Sequence, residues 1–121
     1  MTWDIACLCA AWCRTCESYR PVFERIAAER PPEGRVCRWH WVDIEGEADL
    51  LGDLDVETFP TLVLVGPSGV KFAGPVEARE ETLRALLRRA LADQGGAEFR
   101  ADHPMGLAGL VEGLRQRPPS L

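Results

Sequence analysis

A chain of 121 residues, 46% hydrophobic and 27% charged, is long enough for one domain with a modest core and has the balance of a folded, soluble protein. Its formal net charge of −5 implies no basic surface for nucleic acid, and no nucleic-acid partner is expected. Its five cysteines are an odd number, and Cys7, Cys9, Cys13 and Cys16 are clustered rather than spread out as staples, which argues against a secreted disulfide scaffold and leaves redox chemistry or metal binding.

The N-terminal residues Met1 to Ala6 carry no basic region, and their short apolar run leads straight into the cysteines. No signal peptide, membrane span or membrane partner is expected, and the cytoplasm is the expected compartment. Residues 3–10 read as a short buried strand. From Thr15 to Arg30, Tyr19, Val22, Phe23, Ile26 and Ala27 recur at helical spacing, with Pro21 expected to kink the helix and Pro31-Pro32-Glu33-Gly34 to end it.

Val36 to Ile44 is rich in β-formers and predicts a second strand, and 47–54 a short helix. Thr61 to Val65 and Val70 to Ala73 predict a hairpin about Pro67-Ser68-Gly69. Glu77 to Ala92 aligns Leu83, Leu86, Leu87 and Leu91 on one helical face, closed by Gln94-Gly95-Gly96. The order is β-α-β-α-β-β-α over residues 1–95, with a parallel, right-handed first crossover. Residues 96–121 form a tail, in which Pro104 could open a helix that Gly106, Gly109 and Gly113 weaken and Pro118-Pro119 should fray.

Cys13 and Cys16 fall at the junction of the first strand and first helix. A thiol there meets unpaired amide groups and the positive end of the helix dipole, which favour its thiolate. A second thiol one turn inside the helix can attack a mixed disulfide formed at the first, the minimum apparatus for reversible exchange. The spacing C-x-C-x3-C-x2-C could instead hold zinc or an iron–sulfur cluster on Cys7, Cys9, Cys13 and Cys16. His40 and His103 have no matching ligand context and read as structural or solvated, and Cys37 as packing.

Trp12 directly before Cys13-Arg14-Thr15-Cys16, Pro21 five residues on, Phe59-Pro60-Thr61 before the third strand and Gly74 after the hairpin together resemble the thioredoxin superfamily, over residues 3–92. The resemblance implies a minimal thioredoxin-like α/β fold, a four-stranded mixed sheet ordered 2-1-3-4 flanked by helices. It also implies a thiol–disulfide oxidoreductase acting on protein disulfides or dithiols. In that reading Cys13 is the exposed nucleophile, Cys16 the buried resolving thiol, and Pro60 a cis-proline facing them and crowding out metal. Trp12, Arg14, Thr15, Phe59, Pro60 and Gly74 would shape the substrate groove, with the Phe59 backbone pairing to an extended peptide. No cofactor is implied, and electrons would come from a donor such as a thioredoxin reductase or glutathione system. The alternatives are a binding module of the same fold without turnover, or the metal site above.

Three departures from the family pattern stand out. The family's first strand and helix have no counterpart before Trp3, so residues 37–43, with Trp39 and Trp41, should form an exposed edge. That edge would be covered by residues 104–115 or paired in a homodimer. Cys7 stands where the family buries an aspartate, and Trp41 where it often has a lysine. Cys7 and Cys9, on one strand face, are then either small buried hydrophobes or auxiliary thiols that shuttle the disulfide inward. Arg14 in the motif places a fixed charge by the nucleophile, which predicts a pair less reducing than thioredoxin.

Overall fold

Alternation along the first strand decides which residues meet which layer. The computed structural model describes residues 2–31, 34–52, 54, 56, 58–92 and 107–121. In β1 (Thr2–Cys9), Trp3, Ile5, Cys7 and Cys9 face one side of the sheet and Ala6 and Leu8 the other, all buried. β1 pairs in parallel with β2 (Val36–Asp43), after the crossover through α1 (Arg14–Ala27), and antiparallel with β3 (Thr61–Gly66). β3 returns through a tight turn into β4 (Gly69–Pro75), where Gly69 takes a φ of 134° that a side chain would resist. The strand order β2-β1-β3-β4 is the expected one.

On the Cys7 side, α1 and α3 (Glu80–Ala92) cover the sheet, with Tyr19, Phe23, Ile26, Leu83 and Leu87 filling the layer. Exposed ion pairs clamp the two helices together: Arg84 bridges Glu80 and Glu29, and Arg25 meets Glu80. α1 runs through Pro21, which lies on its exposed face. It stops at Ala27, short of the expected Arg30. α3 starts at Glu80, not Glu77, because the Val76 amide donates to the Pro60 carbonyl (3.1 Å) and holds the preceding residues out of the helix.

The opposite face is closed by the C-terminal segment. The short α2 (Ala48–Leu51) brings Leu51, and α4 (Leu107–Gln116) buries Leu107, Leu110 and Leu114 against Ala6, Leu8, Val42 and Val63. Gly113, counted from sequence as a weakness, is where α4 passes Leu50 so closely that a Cβ would collide with it. The expected stop at residues 94–96, His103 and the opening at Pro104 lie outside the described residues.

The edge of β2 corrects the expectation of an open strand. Pro118-Pro119 leads into residues that dock rather than fray. The Ser120 and Leu121 amides both donate to the Trp39 carbonyl (2.9 and 3.3 Å), and the Trp41 amide donates to Ser120 Oγ (3.3 Å). Ser120 and Leu121 thus meet the edge at Trp39–Trp41, whereas the described part of the expected 104–115 segment, in α4, packs on the sheet face instead. The two indoles are not bare either, because alternation turns them toward α1. Trp39 is buried edge-on against Phe23 (5.2 Å between centroids), and Trp41 is half-buried beside the same ring (5.6 Å).

A buried charged cluster ties this tail down. Arg38 donates to Asp4 Oδ1 (3.0 Å) and to the carbonyls of Leu114, Arg115 and Arg117 at the end of α4. Asp4 also meets His40 Nε2 at 2.8 Å, so His40, expected without a carboxylate partner, has one. The imidazole is fully buried, and its Nδ1 has no hydrogen-bond partner among the described residues. Burial, outweighing the hydrogen bond and charge of Asp4 and reinforced by the charges of Arg38 and Arg117, holds its pKa below the ordinary 6.5. The unfolded chain therefore binds this proton more readily than the folded one. Stability is full above about pH 6.5 and falls as pH drops below it. Urea unfolding of a His103→Asn background between about pH 7 and pH 5 should show that decline. A flat profile there would refute it.

Candidate active site

The turn leaving β1 builds the site. The Cys13 amide donates to the Ala10 carbonyl (3.0 Å), and the Cys13 carbonyl accepts from the Glu17 amide (3.2 Å) to open α1. Cys13 is therefore the N-cap residue, with extended backbone (φ −86°, ψ 117°), a half-buried side chain and a free thiol. Arg14 and Thr15 follow on the exposed face of the first turn. Cys16, one turn in, points to the sheet and is buried.

The disulfide in the structure is not the expected one. Cys16 is bonded to Cys9, with Cα atoms 5.9 Å apart, while Cys7, Cys13 and Cys37 are free. The reason is topological: Cys9 ends β1 on the face that α1 covers, so the helix sets Cys16 directly over it at ordinary disulfide separation. Cys7 Sγ lies 3.5 Å from Cys9 Sγ. Burial pushes the Cys7 thiol far above its ordinary range, so the residue replacing the family's buried acid is a neutral thiol, not a proton acceptor. With Cys9 and Cys16 bonded to each other, the four sulfurs cannot act together as thiolate ligands in this state.

A cleft of about 210 Å³ opens beside these sulfurs, lined by Cys9, Ala10, Ala11, Cys13, Cys16, Glu17, Arg20, Trp41 and Asp43. Trp12 is 65% exposed and packs edge-on against Phe59 (5.6 Å), so the two aromatics form one apolar patch at the rim. The Phe59–Pro60 bond is cis, with Pro60 buried. Gly74 lies opposite Leu62 in the sheet and contributes to a different cleft, with Leu8, Thr61 and Leu107, rather than to the one around Cys13.

Glu17, Arg20 and Asp43 were not singled out from sequence, and Trp41 only as standing where the family often has a lysine. Arg20 lies over the Trp41 ring at 5.1 Å, roofing the cleft. The register Cys7↔Trp41 and Cys9↔Asp43 is what brings β2 to the site. Alternation alone puts Trp41 and Asp43 on one face of β2, but only pairing with β1 sets that face beside the cysteines.

A family model described as Thioredoxin matches residues 5–89. The chain belongs to the thioredoxin family. Its α/β architecture is that of a thioredoxin-like domain, and solved structures agree. The thioredoxin of Fasciola hepatica is 24% identical, with 74% of this chain and 81% of that one covered at a TM-score of 0.60. The oxidized form of mitochondrial thioredoxin 3 from Saccharomyces cerevisiae is 18% identical, covering 72% and 77% at 0.60. A malarial protein is 18% identical, covering 75% and 99% at 0.61. At these identities the likeness is one of fold. No protein of curated function matches the sequence. Within this thioredoxin-family domain, the cysteine pair at the start of the first helix is the feature that points to thiol–disulfide chemistry. A third sulfur bonded to the inner member of that pair, Cys16, is what sets this chain apart from the expected pattern.

Proposed function

We propose that the protein is a thiol–disulfide oxidoreductase acting on protein disulfides, with Cys13 as the attacking thiol and Cys16 as the thiol that resolves the mixed disulfide. The observation that carries this reading is a free, accessible thiol at the N-cap of α1, one turn from a sulfur that is itself in a disulfide, both lining one cleft. Attack by the Cys13 thiolate on a substrate disulfide forms a Cys13–substrate bond and expels one substrate thiolate. Attack by Cys16 on Cys13 Sγ then releases the second. The Trp12–Phe59 patch would hold apolar side chains of the substrate near Cys13.

Insulin reduction driven by dithiothreitol, a glutathione system or a thioredoxin reductase system tests the activity and the donor together. Precipitation of the insulin B chain well above the uncatalysed rate is expected with at least one donor. A second reading, a binding module without turnover, draws on the Cys9–Cys16 bond, which withholds Cys16 from Cys13. No acceleration with any of the three donors would select it.

A further inference from the structure

Cys9 is the one redox-active sulfur that the exchange reaction above does not use. It ends β1 beneath the first turn of α1, shares one cleft with Cys13 and Cys16, and is bonded to Cys16 while Cys13 is free. Cys16 therefore has two partners within reach, one toward solvent and one toward the core. We propose that Cys9 is a third redox cysteine, so that the disulfide formed at Cys13–Cys16 migrates inward to Cys9–Cys16 and returns Cys13 to a free thiol. This rests on the oxidoreductase reading and adds the fate of the disulfide within the protein.

The migration balances as an isomerisation. Cys9 Sγ attacks Cys16 Sγ; the Cys9–Cys16 bond forms and the Cys13–Cys16 bond breaks. The proton lost by Cys9 ends on the departing Cys13 sulfur, and no electrons enter or leave. Reduction runs backward by the same route: Cys13 attacks Cys16 Sγ, frees Cys9, and presents Cys13–Cys16 to an external thiol. Cys16 is the pivot and Cys13 the gate in both directions, because Cys9 is only 2% exposed and a protein-sized thiol cannot reach it. Cys7 touches Cys9 but takes no further step. It is completely buried, and its thiol is held neutral, so it is a poor nucleophile. The oxidised protein thus keeps an accessible Cys13 thiol that can still form a mixed disulfide but has lost its resolving partner.

Peptide mapping of the full chain tests this. The reduced protein is oxidised with oxidised glutathione, quenched at intervals, alkylated, and cleaved at Arg14 and Trp12 to separate Cys16, Cys13 and the Cys7–Cys9 segment. Early samples should contain Cys13–Cys16, and late samples Cys9–Cys16 with Cys13 almost fully alkylated. In Cys9→Ala, or Cys9→Ser should alanine impair folding, the late product should stay Cys13–Cys16, with almost no alkylation of Cys13. A wild-type protein that ends as Cys13–Cys16 with Cys9 unbonded overturns the relay. So does a Cys13→Ser variant that forms Cys9–Cys16 as fast as wild type. Insulin reduction, measured in parallel, separates the two ideas. Turnover with a final Cys13–Cys16 bond defeats the relay alone, whereas migration without turnover defeats the oxidoreductase reading alone.

Discussion

Replacing Cys13 by serine is expected to reduce insulin-reducing activity by on the order of a thousandfold or more, to the uncatalysed background. A serine hydroxyl is not ionised near neutral pH and cannot open a disulfide, whereas the N-cap position leaves the Cys13 thiol accessible and unbonded. The fold should survive, because the side chain is only half-buried and makes no capping hydrogen bond. Cys16→Ser should fail differently: Cys13 still attacks, and the mixed disulfide accumulates as a covalent adduct visible on non-reducing gels. Cys37→Ser, at the far end of β2 from the cleft, should keep wild-type turnover. Turnover by Cys13→Ser at a tenth of the wild-type rate or more would move the nucleophile elsewhere and overturn its assignment to Cys13.

Arg38→Leu is expected to cost about 3 kcal/mol of stability, the scale seen when one partner of a buried charge pair is removed. The guanidinium is the shared partner of Asp4 and of three carbonyls at the end of α4, while Asp4 is nearly fully buried. Leucine keeps the apolar contact of the side-chain stem but leaves the carboxylate with His40 alone. The loss should appear in urea titrations and as faster proteolysis beyond Gln116, since the Ser120–Leu121 clasp on β2 depends on that anchor. In an Asp4→Asn background the same substitution should cost less, because the stranded charge is gone. A change within about 0.5 kcal/mol would mean the tail is held by its leucines alone.

Much of the domain could be read in advance because its signals are local. Apolar spacing in α1 and α3, β-branched and aromatic runs in the strands, and Pro67-Ser68-Gly69 at the hairpin gave the elements, while the sheet order came from the resemblance to the thioredoxin superfamily. The start of α3 was missed where a tertiary contact intervened, at Val76, whose amide is taken by Pro60. Asp4 and His40 looked unrelated because they are thirty-six residues apart, and only the parallel pairing of β1 with β2 makes them neighbours. The β2 edge was expected to be open, yet its Trp39 carbonyl and Trp41 amide are met by Ser120 and Leu121, some eighty residues on.

The cysteines divide the same way. By itself the sequence determined the Cys13–Cys16 motif at a helix N-terminus and the shared face of Cys7 and Cys9, because these follow from spacing and period along one stretch of chain, and the family through the resemblance that Trp12, Pro21, Phe59-Pro60 and Gly74 add to that motif. Which sulfur bonds to which was decided only by the tertiary structure. A disulfide depends on the distance between two Cα atoms in space, and packing α1 across the end of β1 brings Cys16 over Cys9 as well as one turn from Cys13.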